Sequence, residues 1–279
     1  MRHAKVSGTD VIRKNRNIRE SRPDLLAVEE PMEIRLLYGD RQERQEKSLA
    51  VTMRTPGNDF ELAMGFLFTE GIIESYDDVM NIAYCQQVRD ADEQGNVVQV
   101  SLVPTLNTDL SKISRNFFAS SSCGVCGKAS LESIKSYCQP ISSELKIDSE
   151  NIIKSPDIMR KSQQVFEHTG GLHACALFDD MGKLILLRED IGRHNAMDKL
   201  IGAALLEGMV PLNNYFITVS GRVGFELIQK STVAGTPVIC AVGAPSSLAV
   251  DMAKNYKVTL VGFLRNGSYN IYSEEDRIL

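Results

Sequence analysis

The chain has 279 residues, 43% of them hydrophobic and 24% charged, a globular composition long enough for one large domain or two smaller ones. Folding at this length hides about three-quarters of the unfolded chain's surface, so neither disulfide nor metal staples are required. No apolar run reaches membrane-spanning length and the N-terminus has no signal-type apolar core, which excludes a membrane span and points to a reducing cytoplasm.

The net charge of −5 is unevenly spread, because residues 1–22 carry seven Lys or Arg against Asp10 and Glu20. That leaves about +5 on the first 22 residues and about −10 on the remainder. A basic terminus can meet an acidic partner or nucleic acid. The plainer expectation is a solvated, poorly ordered tail. With no basic–aromatic interleaving and no Trp, nucleic acid is not expected as a partner.

From residue 28 to 54 the pattern is strand, turn, strand, with Met32, Ile34 and Leu36 alternating, a turn at Gly39-Asp40, and a return through Leu49 and Val51. Pro56-Gly57 breaks the chain. Asn58 is then expected to cap an apolar helix, with Glu61 as its capping-box partner and a stop at Gly71. A second hairpin follows over 79–88 and 97–103 around Gly95-Asn96. Residues 139–156 read as a linker, with Ser155 capping a helix that Pro156 starts. Beyond it come a hairpin (173–178, 183–188), a helix (194–207), and strands at 215–219, 236–242 and 258–263 separated by helices at 225–233 and 246–255. Strands alternating with helices imply an open sheet covered on both faces.

The chemistry concentrates at Cys123-Gly124-Val125-Cys126, set among small residues just before a predicted helix. Backbone N–H groups at a helix start stabilise a thiolate, the form that attacks sulfur. The spacing alone also suits a dithiol redox pair or a metal. Structural zinc needs four ligands, however, and there is no second Cys pair and no suitably spaced His pair, so no zinc is expected. The other four cysteines (Cys85, Cys138, Cys175, Cys240) sit in apolar contexts and read as buried free thiols. Glycine turns at Thr169-Gly170-Gly171, Ser220-Gly221-Arg222 and Gly243-Ala244-Pro245 fall where strand ends meet helix starts. Open α/β sheets bind ligands there, although plain turn chemistry explains each turn singly. The run Arg188-Glu189-Asp190-Ile191-Gly192-Arg193-His194-Asn195 is either a capped, salt-bridged helix start or a polar cluster facing a cleft, with His194 a possible proton carrier.

Taken together, these segments resemble the FdhD family, the sulfurtransferase accessory proteins of formate dehydrogenases. The resemblance rests on Thr55-Pro56-Gly57-Asn58-Asp59, on the stretches 65–72, 121–127, 169–174 and 188–198, and on 220–230, 241–250 and 260–263, so it runs from about 28 to 272. It implies an α/β fold (α+β overall): a smaller N-terminal α+β domain over 23–145 after the 1–22 tail, and a three-layer α/β domain over 146–279 that resembles the cytidine deaminase fold. The deaminase zinc signature itself is not present at the matching helix starts.

It further implies a sulfurtransferase that takes sulfur from a cysteine desulfurase onto Cys123 and passes it to the bis-molybdopterin guanine dinucleotide form of molybdenum cofactor, a bound substrate, for delivery to formate dehydrogenase. Cys126 is the secondary thiol. Phe263, Leu264, Arg265, Asn266, Gly267 and Ser268 would bind the cofactor and its guanine nucleotide moiety. Its pyrophosphates are expected to meet backbone N–H groups and Arg265, with Arg222 or Arg193 as lesser candidates. A cytoplasmic homodimer is implied. A cofactor-binding chaperone that moves no sulfur is the alternative.

Overall fold

The computed structural model describes residues 4–16, 18–86, 93–104, 106 and 138–279. The first surprise is at the N-terminus. In place of a disordered tail the basic residues build a two-stranded antiparallel ribbon, β1 (Val6–Asn15) and β2 (Ile18–Ala27), in unbroken register from Val6↔Ala27 to Asn15↔Ile18. Charge alone favours a solvated tail; the β-branched Val6, Val11, Ile12 and Ile18 supply the strand propensity that outweighs it.

Strands β3 (Glu30–Tyr38), β4 (Gln45–Arg54), β5 (Val79–Tyr84) and β6 (Val97–Leu102) form a sheet of order β4-β3-β6-β5, in which β3 and β6 are parallel. Helix α1 (Asp59–Thr69) covers its inner face, burying Leu62, Met64 and Leu67 against Met32, Ile34 and Leu36. Asn58 precedes α1 in left-handed conformation and makes no side-chain cap, so the expected capping box is absent. Glu61 instead binds Arg188 (Nη2–Oε1 2.9 Å), an ion pair across 127 residues that local sequence does not announce.

The second half is a six-stranded sheet of order β12-β11-β10-β9-β7-β8, comprising β7 (His173–Asp179), β8 (Leu184–Asp190), β9 (Tyr215–Val219), β10 (Val238–Ala241), β11 (Thr259–Arg265) and β12 (Ser268–Ser273). The central three strands, β9, β10 and β11, run parallel. Helix α2 (Ser149–Ser162) lies on one face with Ile152 and Met159 over Ala176, Phe178 and Phe216, followed by the short α3 (Gln164–Thr169). On the other face lie α4 (Arg193–Leu206), α5 (Phe225–Val233) and α6 (Ser247–Asn255), so the expected two-sided covering is observed.

Helix α2 starts earlier than expected. Asp148 caps it by accepting from Glu150 N (2.8 Å), and Pro156 sits inside. An internal Pro leaves the carbonyl four residues back without its donor. Here that carbonyl, Ile152 O, accepts from Ser155 Oγ (2.8 Å).

The halves are joined by one crossing. A Cβ on Gly65 of α1 would stand 1.9 Å from Asp198 O of α4, and one on Gly202 of α4 would stand 1.8 Å from Glu61 O. Only two glycines let these backbones touch. Beside the crossing, buried Lys230 Nζ binds Asp198 Oδ1 (2.9 Å) and Thr69 Oγ1 (2.9 Å). A second buried pair, Lys199–Asp190 (2.7 Å), seizes the loop after β4: Asp190 Oδ2 accepts from Thr55 N and Lys199 donates to Thr55 O. One hydrophobic cluster therefore runs through both halves, joining the four-stranded and six-stranded units.

Candidate functional site

The parallel strands aim their carboxyl ends at one edge, and there the backbone ladder continues past the strands. Gly243 N donates to Gly221 O (3.0 Å), Phe263 N to Gly243 O (3.0 Å), and Ser246 N to Val223 O (2.9 Å). This zips the turns after β9, β10 and within β11 into one surface. Gly243 is demanded by that approach, since a Cβ would lie 2.9 Å from Arg222 N. Plain turn chemistry therefore accounts for the glycine, and the surface it produces still faces outward.

The helices α4 and α5 begin at the same edge, directing their N-termini toward it. His194, on the first turn of α4, pairs with Glu226 on the first turn of α5 (Nε2–Oε2 2.8 Å). That contact, outweighing burial, holds the Glu226 carboxyl below the usual carboxylate range, with Arg193 adding to it. His173 is pushed the other way: burial first, then Arg193, His194 and Arg222, disfavour its charged form. Asp190, the acid nearest this cluster, is already engaged by Lys199, Thr55 N, Gly192 N and Asn195. Among the described residues, neither Arg193 nor Arg222 has a carboxylate within ion-pair distance, and the buried Arg193 Nε has no hydrogen-bond partner. An electropositive edge with an orphaned guanidinium donor is suited to a phosphate group.

Of the six C-terminal residues singled out by sequence, the structure separates two roles. They form a tight hairpin: Arg265 pairs with Ser268, Asn266 (φ 53°) and Gly267 (φ 72°) make the turn, and Ser268 Oγ donates to Arg265 O. Phe263 is exposed beside Gly243, and the Arg265 guanidinium lies 5.6 Å from its ring centre. Leu264 points the opposite way and is buried in the α2-side core, so its side chain is structural. Glu226 and His173 were not assigned to the site from sequence. The one available signal was position, since each stands next to a glycine-bearing strand end.

Cys123 and Cys126 lie outside the described residues. The chain flanking them is anchored on both sides, with Val103 N bonded to Asp78 O and Ile141 N to Tyr256 O. Of the described cysteines, Cys138, Cys175 and Cys240 are buried, as expected; burial raises all three thiols, Cys138 to about 11. Such thiols are poor nucleophiles at neutral pH. Cys85 is only half-buried, with Arg35 Nη1 3.8 Å from its sulfur.

A separate cavity of about 280 Å³ opens where the N-terminal ribbon meets the body, lined by Lys5, Thr55, Asn58, Gln164, Arg188 and Glu189 among others. Two of its charges are internally committed: Arg188 to Glu61, and Glu189 to the backbone N–H groups of Val165 and Phe166.

The sequence profile of the FdhD/NarQ family matches residues 27–279, nearly the whole body beyond the ribbon. The chain belongs to this family. Curated relatives named sulfur carrier protein FdhD include one from Streptomyces avermitilis, 47% identical over 96% of this chain and 94% of its own. Another, from Mycolicibacterium paratuberculosis, is 48% identical over 92% and 93%, and the FdhD protein of the archaeon Saccharolobus solfataricus is 41% identical over 98% of both. A crystal structure from Desulfotalea psychrophila, of a candidate formate dehydrogenase accessory protein, shares the FdhD-type fold with a TM-score of 0.76 over 99% of this chain and 100% of that one, at 22% identity. No helix among the described residues is long and apolar enough to cross a membrane.

Proposed function

We propose that this FdhD-family chain is a sulfurtransferase acting in the cytoplasm for a formate dehydrogenase. The Cys123 thiolate attacks the outer sulfur of a cysteine desulfurase persulfide. A new S–S bond forms as the donor's S–S bond breaks, and the donor cysteine leaves as a thiolate that takes up a proton. The sulfur on Cys123 then passes to bis-molybdopterin guanine dinucleotide, bound as substrate. In one route Cys126 thiolate attacks the inner sulfur and expels sulfide, leaving a Cys123–Cys126 disulfide that a dithiol reductant must reopen. The cofactor's phosphates meet Arg193 and Arg222 while Phe263 and Arg265 flank its nucleotide; neither zinc nor any other resident metal takes part.

The observation that carries the cofactor side of this reading is the orphaned Arg193 Nε at an edge where Arg222 and Phe263 converge. The sulfur side is supported by the relatives' name and by the low-pKa setting expected of a Cys before a helix. Two measurements test it. Intact-mass spectrometry after incubation with a desulfurase and cysteine should show a one-sulfur adduct that Cys123→Ala abolishes. Calorimetry with guanosine diphosphate should show binding that Arg193→Ala and Arg222→Ala each weaken about tenfold, the loss of one charge-assisted phosphate contact. Binding intact with no adduct in wild type would leave the chain a cofactor chaperone and overturn sulfur transfer.

A further inference from the structure

The cavity between the N-terminal ribbon and the body stands apart from the cofactor edge, since Arg193, Arg222 and Phe263 do not line it. Its volume of about 280 Å³ equals the space of roughly nine waters, at about 30 Å³ each. A molecule of roughly nine non-hydrogen atoms fits there, and a guanine nucleotide does not.

The turn that forms one wall is held from the body side. Asp190 Oδ2 accepts from Thr55 N (3.1 Å), and Lys199 Nζ donates to Thr55 O (2.8 Å). Asn58 ends this turn in a left-handed backbone (φ 60°), uncommon for a residue with a side chain. Its amide caps nothing in α1 and lines the cavity instead. There its Oδ1 takes a long contact from Lys5 Nζ (3.5 Å), and its Nδ2 donates to no group among the described residues. The stem of Lys5 lies on Gly57, where a Cβ would come within 2.7 Å of Lys5 Cε. Among the described residues, Lys5 has no carboxylate within ion-pair distance.

Glu189 lines the same cavity, and its two oxygens accept from Val165 N (3.1 Å) and Phe166 N (2.9 Å). Those neutral donors leave its charge uncompensated and a second acceptor position on each oxygen. The neighbouring Arg188 is spent on Glu61 (2.9 Å). The cavity therefore holds one cation and one anion that pair neither with each other nor with another described residue. Its wall also includes Pro56, Val165, Leu172 and Leu187, which offer apolar surface. A partly enclosed charge without a counter-charge is costly, and two of opposite sign in so small a space call for a ligand that carries both.

We infer that this cavity binds a free α-amino acid with an uncharged, apolar side chain. Its carboxylate lies on Lys5 Nζ and Asn58 Nδ2, its ammonium on Glu189, and its side chain on the apolar wall. Because Lys5 leads into the ribbon while Glu189 belongs to β8, the ligand ties the ribbon to the body.

Titration calorimetry of the full chain with L-leucine and L-methionine, both of the required size, tests this. Each should bind with a dissociation constant below about 10 mM. Isocaproate, which lacks the ammonium, and leucinamide, which lacks the carboxylate, should each bind at least about tenfold more weakly, the loss of one charge-assisted contact. Lys5→Met should weaken L-leucine about tenfold, as should Asn58→Gly, which keeps the left-handed backbone and deletes the amide. Glu189→Gln should do the same, and the Lys5→Met result stands even if that variant disturbs α3. No binding of either amino acid, isocaproate or leucinamide binding as well as L-leucine, or full affinity in Lys5→Met overturns the inference. Guanosine diphosphate affinity should be unchanged in Lys5→Met. Its loss there would assign Lys5 to the cofactor edge and overturn the separate site.

Discussion

The α1–α4 crossing and the N-terminal ribbon use the same chain in opposite ways. At the crossing two backbones meet through glycines, with a buried Lys230–Asp198 pair beside them and no room for a methyl group. The ribbon is held by its own ladder, by its root, where Val28 N donates to Lys5 O, and by β2 lying beside α3, and nearly all its side chains face solvent. The first region stores its stability in contacts that tolerate no change. The second stores little, and its residues are free to be selected for a partner.

That contrast can be broken most forcefully at the crossing. Asp198→Ala leaves the buried Lys230 ammonium with the more exposed Glu70 (3.3 Å) as its remaining carboxylate and should cost about 3 kcal/mol in urea unfolding, whereas Asp198→Leu combined with Lys230→Met should return most of it. Gly202→Ala forces a Cβ into Glu61 O, and a loss of about 3 kcal/mol, the upper end of ordinary overpacking, should appear as a lowered melting temperature. A smaller effect is expected from His173. Its folded pKa lies below the unfolded value of about 6.5, so the unfolded chain takes up a proton first as pH falls. Stability should therefore decline as pH drops below that value, and His173→Gln should flatten the decline in urea midpoints measured from pH 7.5 to 5. Least of all, Ile12→Ser on the ribbon should change the unfolding free energy by no more than about 0.5 kcal/mol. A large loss there would show that the ribbon shares the core's cooperativity after all.

How much of this was legible depended on how far apart the cooperating residues lie. The hairpins of both sheets, α4, and the strand–helix alternation of the second half follow from short-range periodicity, and they are where the pattern placed them. Pro favours a first helical position, so Pro156 points to a helix start that α2 in fact passes through; the hydroxyl of Ser155, which makes the internal Pro tolerable, is visible only in three dimensions. Strand β12 follows from Asn266-Gly267, the strongest of short hairpin signals, although the same residues also suit a binding loop. At the candidate site, Arg193, His194 and Arg222 could be nominated from their places before helices. Glu226 could not, since its partner is 32 positions away, and the Asp190–Thr55 contact spans 135. The reason the Thr55-Pro56-Gly57-Asn58 stretch is held so rigidly is likewise a long-range one: a buried lysine and aspartate from α4 and β8 grip its first residue.

The alternation along β11 has its own consequence for cargo capture. Leu264 is anchored in the interior while Phe263 and Arg265, on either side of it, reach outward. A nucleotide settling on those two side chains would meet a platform whose main chain is already fixed. Only two rotamers need to be frozen, at about 0.5–1.5 kcal/mol each, so under the proposed function the hairpin would hold the nucleotide end of the cofactor without any part of the sheet having to rearrange.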